Sequence, residues 1–232
     1  MMKRIKKFLK DFPLTKTLYH KIASKRYQRR LRKKAIAMKK NGKETIALIQ
    51  NALQGRCFFF FDMGTLLGIV REGNLIGHDL DIDVAVYVES DEQIAEIRRV
   101  LGEHHCTVKF SYAVPELGAV EDSFEVNGIK FDINYYTRET DADVCYLMYR
   151  DPQRSYTGTE MNVVKLVCDP IRETVPCSFF GTMINIPANA EHYLAQRYGE
   201  NWRVPDKKWV YWKGPSTRPT EYIGQQKTNG LT

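Results

Sequence analysis

The stretch from Asp62 to Val84 constrains this chain more than any other part of its sequence. It reads DMGTLLGIVREGNLIGHDLDIDV, and Asp79, Asp81 and Asp83 occupy every second position of a β-type run. Because side chains alternate between the two faces of a strand, acids two residues apart project on the same side. Carboxylates in such a row repel one another strongly unless a positive charge lies between them. The spacing therefore predicts a divalent metal site, and a phosphate is the expected partner of the metal.

The residues upstream of these acids favour phosphate binding. Gly64 and Thr65 follow an apolar run and open a predicted helix, so backbone N–H groups and the Thr65 hydroxyl can reach phosphate oxygens. Arg71 can add a forked donor for the same charge. Together with the acids, this order of residues predicts metal-dependent chemistry on a phosphate.

A further acid, Asp132, lies in the second arm of a predicted hairpin. Residues 127–128 are Asn-Gly, the strongest short hairpin signal, and the arm that follows spans 129–136. From a separate strand, Asp132 can join Asp81 and Asp83 to hold one or two Mg²⁺ (or Mn²⁺) ions. Two ions about 3.5–4 Å apart clamp the attacking and leaving oxygens of an in-line phosphoryl displacement.

Hydrophobic periodicity gives the remaining elements. Period-3.6 patterns predict helices over 43–54, 64–70, 91–101, 160–167 and 189–198. Apolar or alternating runs predict strands over 57–61, 81–88, 107–112, 124–126 and 129–136. The polar sequence from residue 213 onward predicts a flexible C-terminal tail.

Composition limits the class of protein. With 232 residues and 43% apolar content, the chain can bury a sizeable core. The five cysteines are odd in number and lack C-x-x-C spacing, which favours a reducing compartment over a disulfide framework or zinc site. No apolar run approaches the roughly 18 residues of a membrane span, and no secretory signal is expected.

Charge is distributed unevenly. Residues 1–40 hold sixteen Lys or Arg and one acid, a local charge of +15, so the net charge of +7 leaves −8 for residues 41–232. An apolar stripe, Ile5, Phe8, Leu9 and Phe12, follows helical spacing within this arm. The pattern is typical of a basic amphipathic helix that contacts an anionic membrane or glycan, while a helix packed on the body stays an alternative. Nucleic acid is not an expected partner, because the body is acidic and carries no nucleic-acid motif.

The first motif resembles the signature of the LicD family, which includes fukutin and fukutin-related protein. The resemblance rests on the segment GTLLGIVREGNLIGHDLDIDV, which begins at Gly64. It continues in INIPANAEHYL (184–194) and RYGENW (197–202). By position, Asp81 and Asp83 match the family's metal-binding acids and Asp132 its third acid. Gly64, Thr65 and Arg71 match its donor-phosphate turn and motif arginine. Two departures, His78 in place of a common Trp and Leu80 in place of an acid, adjoin the expected donor pocket.

The resemblance implies an α+β fold with a polymerase-β-like nucleotidyltransferase core and a small mixed sheet. It also implies transfer of a phospho-substituent, phosphocholine or an alditol or glycerol phosphate, from a CDP-linked donor to a sugar hydroxyl of a glycan or glycolipid. We therefore expect a basic arm over 1–42, a catalytic domain over 43–212 and a tail over 213–232, in a protein at the cytoplasmic face of the membrane.

Two alternatives stay open. A conventional nucleotidyltransferase would use the same acids to move a nucleotide from an NTP to a small acceptor. A non-catalytic adaptor would bind membranes or polyanions through the basic arm, although the intact acid set argues against it.

Overall fold

The computed structural model describes residues 13–228, with side chains from residue 24 onward. A long helix precedes a sheet-rich body in which two helices flank the first strands. In chain order the elements are α1 Pro13–Leu53, β1 Phe59–Phe61, α2 Met63–Glu72, β2 Asp81–Tyr87, α3 Asp91–Glu103, β3 Thr107–Val114, β4 Gly118–Val126, β5 Ile129–Arg138, β6 Asp143–Tyr149, β7 Glu160–Cys168, β8 Thr174–Phe179, β9 Thr182–Pro187, α4 Ala190–Tyr198, a 3₁₀ turn Tyr211–Lys213 and β10 Thr217–Thr228.

Six of the strands form a closed antiparallel barrel. Their order is β5-β4-β3-β10-β7-β6, and β6 returns to pair with the end of β5. Strand β2 joins the outer edge of β5 in parallel, and β1 pairs antiparallel with β2. Strands β8 and β9 form a separate hairpin. The expectation of a polymerase-β-like core with a small mixed sheet is therefore wrong, since a closed barrel with two added strands dominates the structure.

The barrel was missed because three of its six strands, β6, β7 and β10, were not predicted as strands. The predicted helix over 160–167 is wrong, because Glu160–Cys168 forms β7 between β6 and β10. Its β-branched content and the alternate burial of Val164, Leu166 and Cys168 fit a strand better than a helix. Without β7 the ring cannot close.

The predicted flexible tail is also wrong over residues 217–228, which form β10. This strand bonds to β3 on one side and to β7 on the other, so main-chain pairing rather than apolar side chains fixes it. Gly224 lies against the barrel interior, where a Cβ atom would approach the Met148 sulfur to 2.5 Å. A polar strand of this kind leaves little hydrophobic pattern to detect.

The elements around the acid motif agree with the sequence analysis. Helices α2, α3 and α4 and strands β1 to β5 overlap their predicted ranges. Asn127 and Gly128 both have positive φ, at 52° and 76°, as the tight turn of a hairpin requires.

The two faces of β2 explain where the acids lie. Ile82, Val84 and Val86 pack into a core shared with α1 and α3. On the other face, Asp81 and Asp83 precede Ala85 and Tyr87, which pack with residues of α2 and α4. Alternation along one strand thus buries every second residue and directs the carboxylates toward α2.

Helix α1 runs without a break across the boundary predicted at residue 42. Its C-terminal part is buried through Ile46, Ile49 and Leu53. The basic residues before it are largely exposed. The apolar stripe over residues 5–12 lies outside the described residues. Among the helices described, none combines the length and apolar character needed to cross a membrane.

Candidate metal and phosphate site

A cleft of about 940 Å³ lies over the acid motif. Its walls come from the start of α2, from β2, β4 and β5, and from α4 with the segment that follows it. A separate cavity of about 480 Å³, lined by residues such as Leu53, Tyr87 and Arg138, contains none of the predicted site residues. The cleft is therefore the candidate site.

The acids Asp79, Asp81 and Asp83 meet in this cleft. One carboxylate oxygen from each lies within 4.8 Å of those of the other two, and all three side chains are half-buried. Carboxylate oxygens are the ligands that hard divalent cations prefer. The donor set fits a metal ion such as Mg²⁺. It includes Asp79, which belongs to the predicted row of acids but not to the metal-binding set that the family resemblance implied.

Backbone and helix geometry hold Asp83 and Asp79 in place. The amide of Asp83 donates to the Thr65 hydroxyl at 2.9 Å, and the Asp83 carbonyl accepts from the amide of Asp62 at 2.9 Å. A Cβ atom on Gly64 would lie 2.2 Å from a carboxylate oxygen of Asp79. Glycine at this position thus lets the acids approach the N-terminal end of α2, where the helix dipole favours negative charge.

Asp132 lies beside this group rather than within it. It is the direct neighbour of Asp83 on the parallel strands β2 and β5. Its oxygens accept hydrogen bonds from Ser123 and, at 2.5 Å, from the Lys130 ammonium. The same ammonium lies 3.5 Å from Asp81. Lys130 therefore bridges two acids that the sequence analysis assigned to the metal.

The cluster carries more negative charge than Lys130 neutralises. Burial, followed by the nearby Asp81, raises the pKa of Asp79 to about 7. Burial and the charges of Asp81 and Asp132 raise the pKa of Asp83 well above its usual range. Burial lowers the pKa of Lys130, but the charges of Asp132 and Asp81 outweigh this effect and raise it. Such mutual repulsion is relieved by protons or by a cation.

The structure places some of the predicted phosphate-binding residues in the cleft and one of them behind it. Gly64, Arg71 and His78 line the cleft. Arg71 donates to Glu72 at 2.6 Å and to the carbonyl of Trp202 at 3.5 Å. Thr65 is buried, and its hydroxyl supports Asp83 from behind the cleft wall. The donor-binding roles of these residues stay predictions.

Asp62 is a site residue that the sequence analysis missed. It caps α2, and its fully buried carboxylate accepts from the Met63 amide at 2.6 Å, from the Tyr136 hydroxyl at 2.8 Å and from the Tyr193 hydroxyl at 2.7 Å. This network ties α2 to β5 and α4, so it fixes the floor beneath the cleft. An acid directly before a helix is a capping signal that sequence reasoning can detect.

Glu121 and Arg197 also line the cleft, and no local pattern marks them. Glu121 comes from β4, opposite Asn134 of β5. Burial and the charge of Asp132 raise its pKa to about 8. Arg197 comes from α4 and is only 2% exposed. The positions of both residues in the cleft depend on contacts between segments that are distant in sequence, and local sequence patterns do not reveal such contacts.

Comparison with known proteins places this site in a family. The family model described as LicD/FKTN/FKRP, nucleotidyltransferase domain, matches residues 56–189, which contain the clustered acids Asp79, Asp81 and Asp83 and the neighbouring Asp132. The chain is also similar to proteins named ribitol-5-phosphate transferase FKTN. The human protein is 24% identical over 187 residues, covering 78% of this chain and 37% of that protein. The mouse protein is 24% identical over 193 residues, covering 80% and 38%.

The chain thus spans little more than a third of the length of these relatives. The family match covers more than half of the chain and confirms the resemblance inferred from the acid motif. On this evidence, the chain belongs to the LicD/FKTN/FKRP nucleotidyltransferase-domain family.

Proposed function

We propose that this chain is a metal-dependent transferase that moves a phospho-substituent from a CDP-linked donor to a sugar hydroxyl of a glycan or glycolipid. The observation that carries the proposal is the convergence of the Asp79, Asp81 and Asp83 oxygens within 4.8 Å in a large cleft of a LicD-family member. The relatives named ribitol-5-phosphate transferase favour an alditol phosphate as the group transferred, and phosphocholine is the alternative.

The residues of the cleft would have different roles. Asp79, Asp81 and Asp83 would hold the metal, which when bound supplies positive charge to the transferring phosphate. Asp132 holds Lys130 beside Asp81, so it positions a cation at the edge of the metal group. Gly64 leaves room for the acids at the start of α2, and Arg71 and His78 border the space for the donor.

Product analysis tests the proposal. The protein is incubated with Mg²⁺, a sugar acceptor and a panel of CDP-linked alditols and CDP-choline, and CMP release is measured. CMP release that depends on both acceptor and metal supports the transferase. Pyrophosphate release from NTPs without CMP release from any CDP-linked donor would instead indicate a conventional nucleotidyltransferase.

We also propose that helix α1 brings the site to an anionic membrane surface. Residues 24–43 contain ten Lys or Arg and no acid, and most of these side chains are exposed. Basic residues near an anionic bilayer contribute about 1 kcal/mol each. An acceptor carried on a lipid would then meet the cleft at the membrane.

A further inference from the structure

Arg197 is a buried cation whose N–H groups have no acceptor in hydrogen-bonding geometry among the described residues. Its three guanidinium nitrogens are inaccessible to solvent and form no hydrogen bond with any described residue. Burying N–H donors without acceptors is unfavourable. The side chain also lines the cleft. N–H groups left without acceptors beside a cleft indicate that a ligand supplies those acceptors.

Trp209 adds a second donor to the same wall. Its indole N–H is buried and has no acceptor among the described residues, and the residue lines the same cleft. The Trp209 ring lies 4.5 Å from that of Tyr198, whose centroid is 6.0 Å from the Arg197 guanidinium carbon. Two donors without acceptors in one wall favour a ligand that offers several acceptors.

The buried Asp62 carboxylate attracts Arg197 but does not bond to it. Asp62 accepts from the Tyr136 and Tyr193 hydroxyls and from the Met63 amide, and no hydrogen bond joins it to Arg197. The metal group of Asp79, Asp81 and Asp83 is a separate set of acids, whose charge a bound cation would balance. The donors to Asp62 are neutral, so its carboxylate keeps its charge and still attracts Arg197. What Arg197 lacks is an acceptor for its N–H groups, which a ligand anion can supply.

We propose that Arg197 and Trp209 form the subsite that binds the diphosphate of the donor. This inference rests on the proposed function, because it assumes a donor with a diphosphate bridge. Guanidinium groups donate two parallel hydrogen bonds to phosphate oxygens, and an indole N–H can donate a third. The diphosphate would lie between this wall and the metal group. Its negative charge would then face Arg197 on one side and the bound metal on the other.

Two variants separate ligand binding from structural support. Trp209→Phe keeps the ring and removes the N–H, and Arg197→Met keeps much of the volume and removes the charge. Because the indole N–H lacks an acceptor in the free protein, Trp209→Phe should leave the melting temperature without ligand unchanged or raised. Arg197→Met removes a cation that the buried Asp62 carboxylate attracts, so it should lower the melting temperature, and Arg197→Lys, which keeps the charge, is the comparison. We expect affinity for CDP and for inorganic pyrophosphate, measured by calorimetry with Mg²⁺, to fall about tenfold for Trp209→Phe, the loss typical of one hydrogen bond to a charged group. Arg197→Met should lower it further, and Arg197→Lys should give an intermediate affinity.

Matched controls lie in the same part of the chain but outside the cleft lining. Trp212→Phe alters a ring stacked 4.9 Å from Tyr149, and Arg203→Met alters an exposed arginine paired with Glu191. Both should keep wild-type affinity for CDP and pyrophosphate.

The outcomes are distinct. Wild-type affinity of Trp209→Phe for CDP and pyrophosphate would overturn the subsite even if Arg197→Met fails to fold. An equal loss for CMP and CDP would overturn the assignment to the diphosphate, since CMP lacks one. If pyrophosphate binding depends on both residues while no CDP-linked donor is turned over, the subsite stands and the proposed donor is wrong.

Discussion

The ammonium group of Lys130 lies 2.5 Å from a carboxylate oxygen of Asp132, the acid next to the group formed by Asp79, Asp81 and Asp83. Both residues point from β5 to one face, because they are two apart in one strand. Lys130 also reaches Asp81 at 3.5 Å. The lysine thus neutralises part of the acidic cluster in the absence of a metal and competes electrostatically with any cation that binds there.

Replacing Lys130 by Met should make the protein more dependent on a divalent cation. With the ammonium removed, the carboxylates repel one another more strongly, so the melting temperature in EDTA should fall. Added Mg²⁺ should then raise it by more than in the wild-type protein. Thermal unfolding with and without Mg²⁺ measures the difference, and an equal Mg²⁺ effect in both proteins would show that Lys130 and the metal do not share the site.

The metal acids should be needed for turnover but not for folding. Asp81→Asn and Asp83→Asn keep side-chain size and remove a charge from a crowded cluster, so the melting temperature without metal should not fall. Turnover should fall about 10²–10³-fold, because a catalytic metal contributes several kcal/mol. Asp141→Asn, which changes an exposed acid outside the cleft, is the control. Near-normal turnover of either cluster variant would remove that acid from the proposed metal group.

Gly64→Ala should disturb the metal group through Asp79. The added Cβ would lie 2.2 Å from the Asp79 carboxylate, so that side chain must move away. Affinity for Mg²⁺ should drop while the protein stays folded. Gly102→Ala in helix α3 meets no atom within 4 Å and should instead stabilise the protein by roughly 0.5–1 kcal/mol, as alanine does in helices. Titration with Mg²⁺ compares the two, and equal affinities would show that Asp79 is not a ligand.

Local sequence carried enough information to find the acids but not the barrel around them. Asp81 and Asp83 alternate on β2 and Asp79 lies just before its first residue, and the structure brings the three side chains together as the spacing predicts. Strand β10, in contrast, is set by backbone pairing to β3 and β7, and its polar side chains gave no apolar pattern. The closure of the sheet depends on such pairings and was therefore not predicted.

The same distinction applies within the cleft. Thr65 was read as a phosphate ligand because of its place in the motif, whereas its hydroxyl supports the Asp83 amide. Lys130 was recognised as a strand residue, but its contact with Asp81 depends on the register of β2 against β5. The burial of Arg197 results from the packing of α4 against the body, and the sequence alone does not show it. Roles set by one element were predictable, and roles set by the pairing of elements were not.

Stability without metal should rise as the pH falls from 8 to 6. The pKa of Asp79 is raised to about 7, above its value in the unfolded chain, so the folded protein takes up a proton as the pH drops through this range. Glu121, with a pKa raised to about 8, acts in the same direction. With Mg²⁺ bound the trend should flatten or reverse, because the metal requires ionised carboxylates. Chemical denaturation in EDTA and in Mg²⁺ tests this, and Asp79→Asn should weaken the trend. A stability in EDTA that does not change with pH would contradict the prediction.

Helix α1 should bind anionic vesicles through its exposed basic side chains. Lys25, Arg29 and Lys33 recur every four residues, so they lie along one side of the helix and can be changed without touching the buried residues of its C-terminal part. Changing all three to Glu should reduce binding to vesicles containing phosphatidylserine, while turnover on a small soluble acceptor should be unaffected because the cleft is intact.

The same change at the exposed residues Lys208, Lys213 and Lys227 gives an equal shift in net charge and should have a smaller effect. Binding should also weaken with salt, since screening shortens to about 3 Å at 1 M ionic strength. Equal losses from both triple variants would mean that net charge, not helix α1, draws the protein to the membrane.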